Sequence, residues 1–339
     1  MSSRIQELLK DKEEKIDYKK LIRDYPWIVK KNQDCILSPD SDGLLCGLFV
    51  SYYLNWNIKG FYDGKILVID KDTNVKDCIF LDMEVFRKNI RSIGHHMVLF
   101  NLNRLPENWE EFQNCIQPNN LRNYDGYKHF RLKYPLATIH LLIGIIGSKI
   151  KINIPESAIC PLLFVDGTFN VLFKYPENVL NWLRYLLANE KSNPLKPIFE
   201  NEKYSVFTLM KAMDDFFRKR DEISIFKERG DRLRISETSG SPANLIKQGQ
   251  YYDLNLDAQD RIKKFLKLLS DLTGWTYNEK IWSWEEYKLL KFTKKDFSGS
   301  KIRLNNATYT DLISKKPLTW AMISGQNIEY TLEYPDKLV

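Results

Sequence analysis

Cysteine is scarce and shows no pairing pattern. Cys35, Cys46, Cys78, Cys115 and Cys160 are odd in number, form no C-x-x-C pair and mostly sit inside apolar runs. That points away from a disulfide framework and predicts reduced, buried thiols in a cytosolic protein. No stretch approaches about 18 consecutive apolar residues, so no membrane span is expected. Met1-Ser2-Ser3-Arg4 leads into charged sequence with no apolar signal region, and a cytoplasmic location is expected. There are no internal repeats and no low-complexity tracts. Lysines are scattered rather than gathered in one block, so the net charge of +7 suits a phosphate-bearing partner without supplying a basic tail. At 339 residues and 43% hydrophobic, the chain can bury a sizeable core in one large or two medium domains.

What the sequence does have is a β/α alternation beginning near residue 33. Residues 1–32 read as a polar, helical N-terminal extension, with Ile5, Leu8 and Leu9 on one apolar face and Leu21, Ile22 and Trp27 on another. Cys35 to Leu37 is a short apolar run that breaks at Pro39, and a helix-like run from Leu44 to Trp56 follows. Further strand-like runs are Lys65 to Asp70, Cys78 to Leu81, Met97 to Phe100 and Pro161 to Val165. Such continuous short runs fit strands covered on both faces, as in a parallel sheet. Residues 103–132 read as an insertion or surface loop, and Ala137 to Ile146 as a fully buried helix. Another helix opens at Pro176. Residues 191–203, with Pro194 and Pro197, form the expected linker.

The C-terminal part, 204–339, reads as a smaller α+β domain. Phe207, Met210, Met213 and Phe217 mark one helix face. A second helix is capped by Asp257 and stopped by Gly274, and a hairpin lies around Ser324 to Asn327. Trp275, Tyr277, Trp282, Trp284 and Tyr287 lie among several lysines. They fit either a base-stacking surface or an amphipathic core with a lysine rim.

Acids gather at the ends of these runs: Asp40 with Asp42, then Asp82, then Asp166. His95 and His96 make up half of the four histidines. Carboxylates and imidazole at one sheet edge suit hard divalent cations, with imidazole tilting selection toward manganese. Two such ions can activate a water and stabilise both oxygens of an in-line phosphoryl displacement. Simple helix capping by Asp40 and Asp42 is the competing reading.

The order of these elements resembles the DHH phosphoesterases, a family that includes single-strand exonucleases, oligoribonucleases and cyclic-dinucleotide phosphodiesterases. The resemblance rests on Ser38-Pro39-Asp40-Ser41-Asp42-Gly43, Phe80-Leu81-Asp82, Gly94-His95-His96 and Phe164-Val165-Asp166-Gly167, and covers roughly residues 33–190. It implies a parallel-sheet α/β domain in which Asp40, Asp42, Asp82, His95 and Asp166 hold two Mn²⁺ or Mg²⁺ ions, or one if a position is lost. His96 would face the phosphate or stand just behind the metal's ligands, with Asp82 and His96 central to catalysis. The substrate would be single-stranded nucleic acid or a small nucleotide, with Lys301 and Arg303 as phosphate clamps. Ser38 and Gly94 stand where relatives carry Asp, and the strand expected to run into the histidines is missing from the pattern. The alternative is therefore a catalytically degenerate, nucleotide- or nucleic-acid-binding subunit, either self-associating or part of a larger assembly.

Overall fold

The computed structural model describes residues 2–223, 232–297, 304–333 and 337–338. Lys301 and Arg303 lie outside the described residues. Among the described residues, twelve strands fall into two sheets. In chain order they are β1 (Asp34–Leu37), β2 (Asn57–Tyr62), β3 (Ile66–Asp70), β4 (Ile79–Leu81), β5 (Arg91–Ile93), β6 (Cys115–Ile116), β7 (Leu245–Gln248), β8 (Tyr251–Leu254), β9 (Tyr287–Lys291), β10 (Thr293–Phe297), β11 (Thr319–Met322) and β12 (Ile328–Leu332).

The large sheet has the order β6-β5-β4-β1-β2-β3-β9-β8-β7. The block from β6 to β2 is parallel, and the remainder is antiparallel. The fold is thus mixed α/β around a large central sheet. β1 lies inside the parallel block, and Cys35, Ile36 and Leu37 have no exposed surface. That explains its unbroken apolar run, since a strand covered on both faces has no polar side to show. The helix Ser41–Leu54 is buried almost all round and packs on β1 and on the helices Thr138–Gly147 and Leu256–Thr273. The C-terminal half supplies β7, β8 and β9 to the same sheet, while β10, β12 and β11 form a separate antiparallel sheet.

Several expectations are corrected. Met97 to Phe100 is not a strand. Its only ladder contact among the described residues is a bridge from Met97 to Met322. The run is apolar because it is buried, and its carbonyls are satisfied from outside a sheet. Val98 accepts from Tyr309 Oη (2.6 Å) and Trp320 Nε1 (2.9 Å), and Leu99 accepts from the Gly126 N–H. The strand absent from the pattern, β5, does run into the histidines. At three residues it is too short to show a period. Pro161 to Phe164 lie in the helix Ile159–Phe164, and Val165 opens the 3-10 turn Val165–Gly167. A short buried apolar run cannot by itself distinguish strand from helix. Residues 103–132 are not merely a loop, for they carry β6, the edge of the parallel block.

The helix Val206–Ile223 buries Met213 and Phe216, but Phe207 and Met210 are 71% and 59% exposed, against the expected face. Asn255, not Asp257, caps the helix Leu256–Thr273, and Gly274 ends it in the left-handed region as expected. Trp275, Trp282, Trp284 and Tyr287 are buried, so the aromatics of this region belong to the core.

The N-terminal segment is tied down by a buried arginine. Arg122 Nε donates to Glu14 Oε1 (2.9 Å) and Nη1 to Asn181 Oδ1 (2.8 Å), and the guanidinium lies within 5 Å of the Tyr124, Trp182 and Tyr185 rings. One helical run, Glu156–Lys174, is long and apolar enough to pass for a membrane span by length and composition. It is kinked at Asp166, and Ile159 to Leu163 face the core.

Candidate metal centre

The chain leaves β1, passes through the helix Ser41–Leu54 to β2 on one side, and later returns to β4 on the other. The connections therefore diverge at the C-terminal ends of β1 and β4, a crevice where open α/β sheets bind ligands. Asp40 and Asp42 follow β1, and Asp82 follows β4.

The turn after β1 is locked by its own residues. Asp40 caps the helix Ser41–Leu54. Its Oδ1 accepts from the Gly43 N–H (2.8 Å) and its Oδ2 from Ser38 Oγ (2.7 Å). Gly43 is required here because a Cβ would overlap the Ser38 carbonyl group, 2.8 Å from its carbon. Asp42 sits in the first turn with its carboxylate turned to another helix. Its Oδ2 accepts from the Thr138 N–H (2.7 Å) and its Oδ1 from the Ile139 N–H (3.1 Å). These are free donors at the N-terminus of Thr138–Gly147, where the helix dipole favours an anion.

Thr138 is also the hinge of the cluster. Its Oγ1 donates to Asp82 Oδ1 (2.7 Å) and lies 2.8 Å from His95 Nδ1. A hydroxyl has one proton, so with that proton on Asp82 the imidazole must donate from Nδ1. The Nε2 lone pair of His95 is then free, and Nε2 lies 3.4 Å from Asp166 Oδ2. Asn119, fully buried, donates from Nδ2 to the His95 carbonyl (3.2 Å). Asp82 and Asp166 both adopt left-handed backbone, with φ of 63° and 50°. Such strain in non-glycine residues tends to gather at functional sites.

Asp42, Asp82, His95 and Asp166 each bring one ligand atom within 4.8 Å of the others. Asp42 and Asp82 are buried and Asp166 is the open member, its side chain 35% exposed. Burial, followed by the charges of Asp82 and Asp166, pushes the Asp42 carboxyl well above the usual range, and His95 partly offsets this. Burial, then Asp40 and Asp166, does the same to Asp82. Asp40 is raised by burial and by Asp166. Carboxylates crowded in this way favour a cation among them. Three carboxylates and an imidazole, whose Nδ1 lies 3.4 Å from Asp82 and 4.0 Å from Asp42 and whose Nε2 lies 3.4 Å from Asp166, are a donor set that could hold a metal ion.

The sequence-predicted residues thus divide. Asp42, Asp82, His95 and Asp166 converge, whereas Asp40 is engaged as a cap and stands outside that group of four. His96 stacks on His95, ring centroids 4.2 Å apart, and is held by Glu84. His140 is buried, and Asp70 is taken up by Ser283 and Thr73. Thr138 and Glu84 were the contributors least visible in sequence. Thr138 opens an apolar helix, and Glu84 lies two residues past Asp82, but neither belongs to a spacing that marks a ligand.

Two cavities meet at His96. One is a cleft of about 1050 Å³ that reaches Asp166 and carries Arg131, Lys133 and Lys174. The other, of about 260 Å³, runs past Asp40, Asp82 and Glu84 to Lys294 and Tyr330 beside the smaller sheet. No protein-family model, no curated protein and no solved structure matches this chain.

Proposed function

We propose that this chain is a divalent-metal-dependent phosphoesterase that hydrolyses phosphodiester bonds of single-stranded nucleic acid or short nucleotides. The observation that carries the reading is the convergence of Asp42, Asp82, His95 and Asp166 at the C-terminal edge of the parallel block. A bound Mn²⁺ or Mg²⁺ supplies Lewis acidity and a water of lowered pKa. The protein's own groups do the rest. Asp42, Asp82, Asp166 and His95 would hold the cation, with Thr138 orienting the His95 ring. Arg131, Lys133 and Lys174 neutralise phosphate charge along the cleft. His96, where the two cavities join, is placed to meet the charge that develops on the phosphoryl oxygens. The resemblance to DHH phosphoesterases belongs to this proposal, as does the choice of metal.

With Mn²⁺, the purified protein is expected to release nucleotides from single-stranded oligonucleotides or linear dinucleotides. Asp82→Ala combined with Asp166→Ala is expected to abolish this. Undiminished turnover in that double variant would sink the assignment. One observation favours a second reading, the catalytically degenerate binding subunit. Asp40 is committed to Ser38 and Gly43, which leaves one group of four ligands among the described residues. Calorimetric titration separates the readings, since two tightly bound Mn²⁺ support the enzyme and no binding supports the degenerate protein.

A further inference from the structure

Gly94 stands beside a buried carboxylate that comes from elsewhere in the chain. A Cβ on residue 94 would lie 2.5 Å from Glu84 Cδ and would overlap the carboxylate oxygens. Glu84 therefore occupies the space that any side chain at position 94 would need. It is almost wholly buried, and both of its oxygens are directed at one residue. Oε1 accepts from the His96 backbone N–H (2.7 Å), and Oε2 lies 3.3 Å from His96 Nδ1. The His96 ring, stacked on His95, is 40% exposed and borders both cavities.

We infer that Glu84 is the positioning residue of His96, and that Glu84 and Gly94 form one exchangeable unit in which the acid is delivered from β4's exit instead of from position 94. The carboxylate has no proton to give, so neutral His96 must donate from Nδ1. Its Nε2 then carries a lone pair, and the bidentate grip on backbone and ring together sets its direction. A glycine at 94 is the steric condition for this arrangement. It was a departure from the family pattern in the sequence, and it is here the partner of an acid ten residues earlier.

The inference rests on the phosphoesterase reading only for its catalytic consequence, and its test does not need turnover. The chain has four histidines, so ring ¹⁵N signals of the full-length protein can be assigned by single His→Gln variants. At a pH where His96 is neutral, long-range ¹H–¹⁵N spectra should show the proton on Nδ1. In Glu84→Gln the amide oxygen stays with the His96 N–H and the amide nitrogen is left facing the ring. The proton should then move to Nε2. Glu84→Ala should give a mixture. Gly94→Asp alone should lower the melting temperature. Combined with Glu84→Ala, it should recover most of that loss and return the proton to Nδ1.

A wild-type proton on Nε2, no tautomer change in Glu84→Gln, or strictly additive melting shifts in the double variant would each overturn the inference. If the wild type cleaves phosphodiesters, Glu84→Gln should reduce kcat at least tenfold with KM little changed. If the tautomer and coupling behave as stated and the wild type cleaves nothing, the Glu84–Gly94 unit stands and the phosphoesterase reading fails.

Discussion

Thr138 illustrates how much of the site depends on a residue that binds nothing itself. Its N–H serves Asp42, its hydroxyl proton serves Asp82, and its oxygen receives the His95 Nδ1 proton. Thr138→Val keeps the shape and the backbone donor but removes the hydroxyl. Asp82 then loses a donor while His95 loses the acceptor that fixes its tautomer. Partners of this outer kind are worth about 10–100-fold in metal affinity. Calorimetry should therefore find Mn²⁺ binding weakened by about that factor in a protein that still unfolds cooperatively. Unchanged affinity would remove Thr138 from the site.

At the scale of elements, the turn from β1 into the helix Ser41–Leu54 is vulnerable to a single substitution. Gly43→Ala drives a methyl group into the Ser38 carbonyl, a backbone atom held by its neighbours. A loss of about 2 kcal/mol or more is expected in urea denaturation, because strain of this size in a packed region has no cheap relief. The same turn shows what could be read from sequence. An apolar strand, a proline, two acids and a glycine predicted strand, turn and helix with the acids at the edge; of the two acids, Asp40 is the cap and Asp42 joins the cluster that could hold a metal ion. Asp166 was legible as an acid after an apolar run, though the run is a helix. The sequence was silent where geometry depends on distant partners. β5 has three residues, β6 has two, and the Met97–Phe100 run is buried without being a strand. The contact of Glu84 with His96 spans twelve positions that no periodicity links.

For the whole molecule, pH and metal act on the same groups. In the metal-free protein Asp42 and Asp82 have folded-state pKa values raised above the unfolded value of about 4. Their contribution to stability is fully present below that value and is lost as pH rises through the raised ones. On the proposed function, Mn²⁺ competes with those protons. Its stabilising shift in melting temperature should therefore be larger at pH 8 than at pH 5, and an increment independent of pH would contradict the buried carboxylate site. His140 works in the other direction. Its burial lowers the imidazole to about 4, so its contribution is present above the unfolded value of about 6.5 and is lost as pH falls through the folded one. That is worth about 3 kcal/mol at full extent. Metal-free unfolding measured from pH 7 down to pH 4 should show this loss, and replacing His140 with Asn should flatten it.

The pairing of β3 with β9 also has a consequence in time. Ile66 to Ile69 are completely covered in the finished sheet, and the strand that covers their far edge begins at Tyr287, roughly 220 residues later in the chain. At ribosomal speeds of about 5–20 residues per second, that edge waits on the order of 10–45 s for its partner. During this interval the nascent chain presents an unpaired apolar edge strand, the kind of surface on which aggregation starts. A fragment ending before β9 keeps all four converging residues in its sequence, yet it would leave that edge open for good. The C-terminal half thus closes the apolar edge of the half that carries these four residues, and does so only once β9 has been made.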